Sequence, residues 1–326
     1  MKQFKATPKG MTLLEIMDYF STDDKARKHL ENITWANGPV CPRCQTNDQD
    51  RISVVRPNPD KGVRAGLYCC KDCRRQFTVT VGSIFEDTHI PLRKWLIAWY
   101  LLCASKKGIS SLQLQRMLDL GSYKSALFMT HRIRFALKDP VFDGKLTGTV
   151  EVDECYFGPK TPGRGPGFFT AKKSAVVALV NRESGARRSV VVEHITGTNI
   201  QRAVRAHVED GSTIHTDEHS GYVGLRDKYT HKSVRHAKVD GKREYYRVEN
   251  DGEIVTTNYA ESSFSLLKRG VVGTFHNISR KHLPLYVAEF DHRWNTRNDS
   301  DTERTISALK KARGKRITYK PLTRSV

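Results

Sequence analysis

Thr149-Val150-Glu151-Val152-Asp153-Glu154-Cys155-Tyr156-Phe157 alternates β-branched and acidic residues with the two-residue period of an extended strand. Val150 and Val152 fall on one face, Glu151 and Asp153 on the other. An acid in such a run is costly to bury unless it is paired, hydrogen-bonded or bound to a cation. Two more strand-like runs follow, SAVVALVNRE (174–183) and RSVVVEHI (188–195), then a helical pattern over 199–208 and a short strand over 212–216. The order β-β-β-α-β predicts an α/β domain, a mixed sheet flanked by helices.

Two more acids belong to this region. Asp217 ends the strand 212–216 and precedes Glu218, His219 and a Ser220-Gly221-Tyr222 turn, and strand ends of α/β sheets are where short side chains are held at fixed separations. Glu261 lies in a helical stretch over 259–267. Residues 258, 261, 265 and 268 share one helix face, so Asn258, Glu261 and Lys268 look toward one site. Hard cations such as Mg²⁺ take oxygen ligands, a pair of them clamps the attacking and leaving oxygens of a phosphodiester displacement, and a neighbouring Lys holds a phosphate. The same acids also read as solvated strand ends and a helix-surface glutamate, so the residues alone leave both readings open.

Toward the N-terminus, Cys41-Pro42-Arg43-Cys44 and Cys70-Lys71-Asp72-Cys73 are two C-x-x-C knuckles separated by 25 residues, followed by a strand-like Arg75-Gln76-Phe77-Thr78-Val79. Four thiolates satisfy tetrahedral zinc and leave no open coordination position, so one structural Zn²⁺ is expected on Cys41, Cys44, Cys70 and Cys73. Cys69 competes with Cys70, but only Cys70 keeps the two-residue spacing to Cys73. Cys103 and Cys155 sit in apolar runs and read as core. A leading helix is expected over 13–30, with Thr12 and Glu15 spaced as a capping box.

Between ribbon and sheet, PLRKWLIAWYLLC (91–103) is too short to span a bilayer and reads as a buried helix. Helical patterns over 110–118 and 122–137, joined by Asp119-Leu120-Gly121, resemble a helix-turn-helix, with Gly121 suited to the tight turn. The second carries Lys124, Arg132 and Arg134 as candidate DNA contacts, although an ordinary amphipathic helix has the same pattern. These signals divide the chain into a helical segment (1–35), a zinc ribbon (36–85), a helical DNA-binding module (86–143), a catalytic domain (144–300) and a basic C-terminal tail (301–326).

Lys+Arg number 55 against 35 Asp+Glu, a formal net charge of +20, which points to phosphate polyanions. Charge alone fits a ribosome-associated protein or a basic globular surface equally well. No apolar run is long enough for a membrane span and the start lacks a signal-peptide core, so a cytoplasmic protein without a membrane partner is expected.

In order, CPRC (41–44), CKDCRRQFTV (70–79), a helical module, VDECYFG (152–158), HTDEHSGY (215–222), TNYAESSFSLLKRGVVGTFHNIS (257–279) and EFDHRWNTR (289–297) resemble bacterial insertion-sequence transposases of the zinc-ribbon DDE type, across roughly residues 15 to 300. The resemblance implies an RNase H-like catalytic domain, two Mg²⁺ or Mn²⁺ ions, 3′-end strand cleavage and strand transfer into target DNA. By position it makes Asp153 and Asp217 the first two metal-binding acids. The third is Glu261 or Asn258. Glu261 is preferred because Lys268 follows seven residues later, the separation of a glutamate and a phosphate-binding lysine in many DDE enzymes. Lys268 and the adjacent Arg269 would contact DNA. The resemblance further implies double-stranded DNA partners, the element's terminal inverted repeats and the target, a homodimer or higher oligomer, and a bacterial, nucleoid-associated location. Two other functions fit the same acids and charge: a metal-dependent nuclease that cuts without joining, and a zinc-ribbon regulator that binds DNA without catalysis.

Overall fold

The computed structural model describes residues 10–138, 144–158, 173–235, 238–239, 242–243 and 245–318. They fall into two compact units, one formed by Met1–Leu137 with Asn298–Val326, the other by Lys138–Arg297.

The first unit opens with α1 (Leu13–Tyr19) and α2 (Asp23–Thr34). The Thr12/Glu15 capping box forms as expected. The single helix expected over 13–30 is two helices, because Thr22 accepts from the Lys25 N–H and starts a new one. Ser-Thr-Asp-Asp is itself an N-terminal signal. The ribbon follows as three antiparallel strands in the order β1 (Ile52–Val54), β2 (Tyr68–Cys70), β3 (Gln76–Phe77). Trp35, Tyr68 and Phe77 pack together on it, Tyr68 and Phe77 stacked at 5.7 Å between ring centroids.

Helices α3 (Leu92–Ala104), α4 (Ser111–Met117) and α5 (Tyr123–Leu137) complete the N-terminal part. α3 is buried from Trp95 to Cys103, and Cys103 is a core residue. In the α4–α5 turn it is Asp119, at φ 48°, and not Gly121 that takes the left-handed conformation, which a short polar side chain tolerates. Residues 301–310, assigned above to a basic tail, instead form a helix, Asp301–Lys310, closed by a Ser300/Glu303 capping box. It packs on α3 with Ala308 and Leu309 buried.

The second unit is built on a five-stranded mixed sheet. Its strands are β4 (Thr149–Phe157), β5 (Ser174–Asn181), β6 (Arg187–Val192), β7 (Thr213–Thr216) and β8 (Thr230–Ser233), in the spatial order β6-β5-β4-β7-β8. Only β5 runs against the others. This is the RNase H-like mixed sheet, with the three leading strands meandering and the last two parallel to β4. On one face Val150 and Val152 pack against α6 (Gly197–His207) through Ile200 and Val204. On the other, Cys155 and Phe157 pack against Phe264, Leu267, Leu283 and Phe290. Phe264 lies between α7 (Asn258–Ser263) and α8 (Ser265–Gly270), Leu267 on α8, and Leu283 and Phe290 on α9 (Leu283–Asn295). The helical stretch read over 259–267 is thus interrupted at fully buried Phe264. Two small hairpins, β9 (Lys238–Val239) with β10 (Lys242–Arg243) and β11 (Tyr246–Val248) with β12 (Ile254–Thr256), lie between β8 and α7.

No helix among the described residues is long and apolar enough to cross a membrane.

Candidate active site

The second face of β4 changes character along its length. Glu151 and Asp153 occupy its first part, whereas Cys155 and Phe157 continue it into the apolar cluster under α8 and α9. Parallel pairing of β4 with β7 sets Glu151 opposite His215. The same register carried two residues on brings Asp153 beside Asp217, just past the end of β7. Asp217 is held in a tight local turn, its Oδ1 accepting from the His219 N–H at 2.9 Å.

Glu261 arrives from α7. Burial, then the charges of Glu154, Glu261 and Asp217, push the Asp153 carboxyl up to about 7. Asp153, on a strand, thus feels the charges of Asp217, in a loop, and Glu261, on a helix. Asn258 is exposed at the first position of α7. Glu261, one turn on, takes the Thr257 hydroxyl at 3.0 Å.

Lys268 is exposed on α8, its ammonium 5.8 Å from the centre of the Phe264 ring. Burial raises the Cys155 thiol, and the charge and hydrogen bond of Lys268 oppose that rise. Cys155 is two residues past Asp153 on the same face, so Lys268 stands one step along the strand from the acids. Arg269 is exposed and donates to the Ser265 carbonyl and hydroxyl. In the first unit Lys124 is exposed near the start of α5. Arg132 and Arg134 depart from the expectation of a DNA-facing pair: they are 4% and 0% exposed. Arg132 donates to the Glu86 carbonyl at 2.7 Å and lies over the Trp95 and Phe128 rings. Both guanidiniums belong to the packing of that unit.

Two glutamates beside Asp153 have partners that strand periodicity does not reveal. Glu151, fully buried, accepts the N–H groups of Tyr259 and Ala260 at 2.7 and 3.1 Å. Glu154, on the opposite face, accepts the hydroxyl of fully buried Tyr222. Burial raises the Glu154 carboxyl, the Tyr222 bond opposes it, and the Asp217 charge adds to the rise. That bond ties β4 to the turn following Asp217. A third group, His215, meets Glu253 at 3.0 Å, and Lys232 pairs with the same carboxylate, fastening the β11–β12 hairpin to β7 and β8. The only sequence signal for Glu151 was an acid in a run that should be buried.

The sulfurs of Cys41, Cys44, Cys70 and Cys73 lie within 4.8 Å of one another, with Cys41–Cys73 at 3.6 Å and Cys44–Cys70 at 3.5 Å. A zinc tetrahedron with Zn–S of about 2.3 Å has edges of about 3.8 Å, so the four fit structural zinc. Burial raises the Cys41 thiol, but the N–H groups of Cys44 and Arg43 outweigh it and bring it down to about 7. The neighbouring Cys44 thiol moves the opposite way: a backbone hydrogen bond at Thr46 lowers it, but desolvation and the sulfurs beside it outweigh that and raise it, as expected when four thiols share one small space. Cys70, not Cys69, belongs to the cluster.

The described residues thus join a four-cysteine ribbon to a unit built on a mixed sheet whose central strand carries buried and half-buried acids. Residues 21–76 match the transposase zinc-ribbon domain and residues 145–295 the ISXO2-like transposase domain. The chain belongs to this family of insertion-sequence DDE transposases. A relative from the archaeon Halobacterium salinarum, an uncharacterized protein in transposable element ISH50, is 29% identical over 84% of this chain and 91% of its own length. Among solved structures, a chain of the simian T-cell lymphotropic virus intasome in complex with PP2A regulatory subunit B56 gamma shows 14% identity over 53% of this chain. The match spans only 63% of that chain at a TM-score of 0.27, too low to establish a shared fold.

Proposed function

We propose that this transposase cuts the 3′ ends of its insertion sequence and joins them to target DNA, using Asp153, Asp217 and Glu261 as the ligands of two Mg²⁺ or Mn²⁺ ions. The observation that carries the proposal is Asp153, held at about 7 by burial and by the charges of Glu154, Glu261 and Asp217, with Asp217 reached by the β4–β7 register. In a chain of net charge +20, carboxylates that raise one another's charge cost are the oxygen ligands a hard cation favours. Bound there, such a metal pair supplies Lewis-acid stabilisation of the attacking and leaving oxygens of a phosphodiester.

The protein's own groups do the rest. Asp153, Asp217 and Glu261 would hold the metal ions, Asp153 as its deprotonated carboxylate, and Asn258, one turn before Glu261, would line the approach. Lys268, beside Cys155, holds a phosphate of the scissile strand, with Arg269 next to it. The two displacements, water on the element end and then the freed 3′-OH on target phosphate, need no covalent protein intermediate, so Tyr156 and Tyr222 are not nucleophiles. The zinc ribbon and the helical module, with Lys124 exposed on α5, bind the double-stranded terminal repeats, largely through counterion release. Pairing of two ends calls for a dimer or higher oligomer, acting in the cytoplasm at the nucleoid.

The test is a cleavage and joining assay on element-end DNA with Mg²⁺ or Mn²⁺. Asp153→Ala, Asp217→Ala and Glu261→Ala should each lose joined product by at least ~100-fold, with DNA binding retained. Loss with Asn258→Ala but not with Glu261→Ala moves the third ligand to Asn258. Cleavage without joining would make the protein a nuclease, and binding without cleavage by any form would make it a regulator.

A further inference from the structure

Glu151 has no part in the metal cage proposed above, yet it is the most buried acid of β4. The helix it touches, α7, is six residues long, and Thr257 at its N-cap makes no side-chain cap. The Thr257 hydroxyl is spent on Glu261 instead. The first-turn N–H groups of Tyr259 and Ala260 are taken by Glu151 Oε2, from a strand 108 residues away in sequence. The other carboxylate oxygen lies 3.7 Å from Arg182 Nη1, which also donates to the Ile254 carbonyl at 2.7 Å. Ile254 begins β12, the strand that runs directly into α7.

The far end of the helix is held in the same manner. Fully buried Arg187, on β6, donates through Nη1 to the Ser263 carbonyl at 2.7 Å and pairs with Asp291 at 3.0 Å. Opposite charges from two strands of one sheet thus grip the two ends of one short helix, each facing the end whose backbone groups it can satisfy. So short a helix is not stable by itself, because it has few internal hydrogen bonds to offset the cost of ordering it.

We infer that Glu151 is a positioning residue: it anchors the helix bearing Glu261 to the strand bearing Asp153, so the separation of these two acids is set before any cation arrives. The inference rests on the assignment of Asp153 and Glu261 to the metal site. Groups that orient metal ligands without touching the metal typically change affinity or activity by about 10–100-fold when removed.

The experiment compares the full chain with Glu151→Ala, Glu151→Gln, Glu151→Asp and Asp153→Ala by hydrogen exchange, by Mn²⁺ titration followed calorimetrically, and by cleavage rate. In Glu151→Ala, exchange over residues 257–264 should quicken at least ~10-fold while β4, β5 and β6 stay protected. The half-saturating Mn²⁺ concentration should rise ~10-fold or more, and the cleavage rate at saturating DNA should fall ~10–100-fold. DNA affinity should hold within ~2-fold. Gln keeps an acceptor at the same reach and should restore most of each property, whereas Asp keeps the charge but is one methylene short and should not. Should the Ala form fail to fold, the Asp form carries the test. Wild-type exchange and Mn²⁺ affinity in both Ala and Asp forms would overturn the inference, as would a Gln form no better than Ala. If Asp153→Ala binds Mn²⁺ and cleaves as the wild type does, it is the metal-site reading that fails.

Discussion

Asp153 shows how much one residue's surroundings can ask of it. Buried on β4 with Glu154, Glu261 and Asp217 nearby, its carboxyl is pushed up to about 7, from an ordinary value near 3.8. The folded state therefore keeps a proton that the unfolded chain gives up, and the metal-free unit loses stability as pH rises toward about 7. A cation held by Asp153, as proposed, would have to displace that proton. Apparent Mn²⁺ affinity should accordingly climb by up to ~10-fold per pH unit below about 7 and level off above it, because a single proton competes with the cation for that carboxylate. Calorimetric titrations at pH 5.5, 6.5 and 7.5 check this, and a flat affinity across them would show that Asp153 is already ionised in the free protein. Glu154 and Tyr222 play a quieter part: the phenol satisfies a carboxylate that would otherwise be stranded, and in doing so holds the turn after Asp217.

At the scale of elements, the molecule relies on cross-ties. The ribbon has three strands of two or three residues each, too little sheet to stand alone, and its stacked Tyr68 and Phe77 supply only a small core. The four-sulfur cluster must do most of the holding. Removing zinc with a chelator should increase exchange across residues 41–77 by at least ~100-fold, as expected where metal binding is folding energy. Strands β4 to β7 should keep their protection. Exchange mass spectrometry reads both regions at once, and loss of protection in both would mean that the zinc holds the whole chain together. α7 is tied by protein groups where the ribbon is tied by metal: Glu151 and Arg187 do for that helix what the thiolates do for the knuckles.

For the molecule as a whole, the first unit is discontinuous, closed by residues that follow the catalytic unit in sequence. The helix Asp301–Lys310 lies on α3 with Leu309 3% exposed and Ala308 fully buried, and Arg304 donates to the Cys103 carbonyl at 3.2 Å. Leu309→Ala should destabilise this unit by about 2–5 kcal/mol, the usual cost of emptying a packed leucine site. Urea unfolding followed by tryptophan fluorescence would register it, since Trp95 and Trp99 are buried in that unit. Protection of β4 to β7 should not change. An unaltered midpoint would mean the C-terminal helix is dispensable to the unit it closes.

Several features of this protein needed only local rules to be read. The period of two in 149–157 yields β4 with Glu151 and Asp153 on one face, C-x-x-C spacing names the four cysteines, and Thr12 with Glu15 starts α1. Each depends on residues a few positions apart, and short-range geometry is nearly the same in every fold. Other features waited for the tertiary structure. β8, polar Thr230-His231-Lys232-Ser233, becomes a strand because β7 offers it an edge. Arg132 and Arg134 lie on a helix as read, but which of its faces is buried was decided by Glu86, Trp95 and the surrounding core. Glu151 could be recognised as an acid in need of a partner, while the partner itself lay 108 residues away. Periodicity encodes how a residue is oriented within its own element; what it meets there depends on how distant segments pack, and that is where the anchoring of Glu261 was decided.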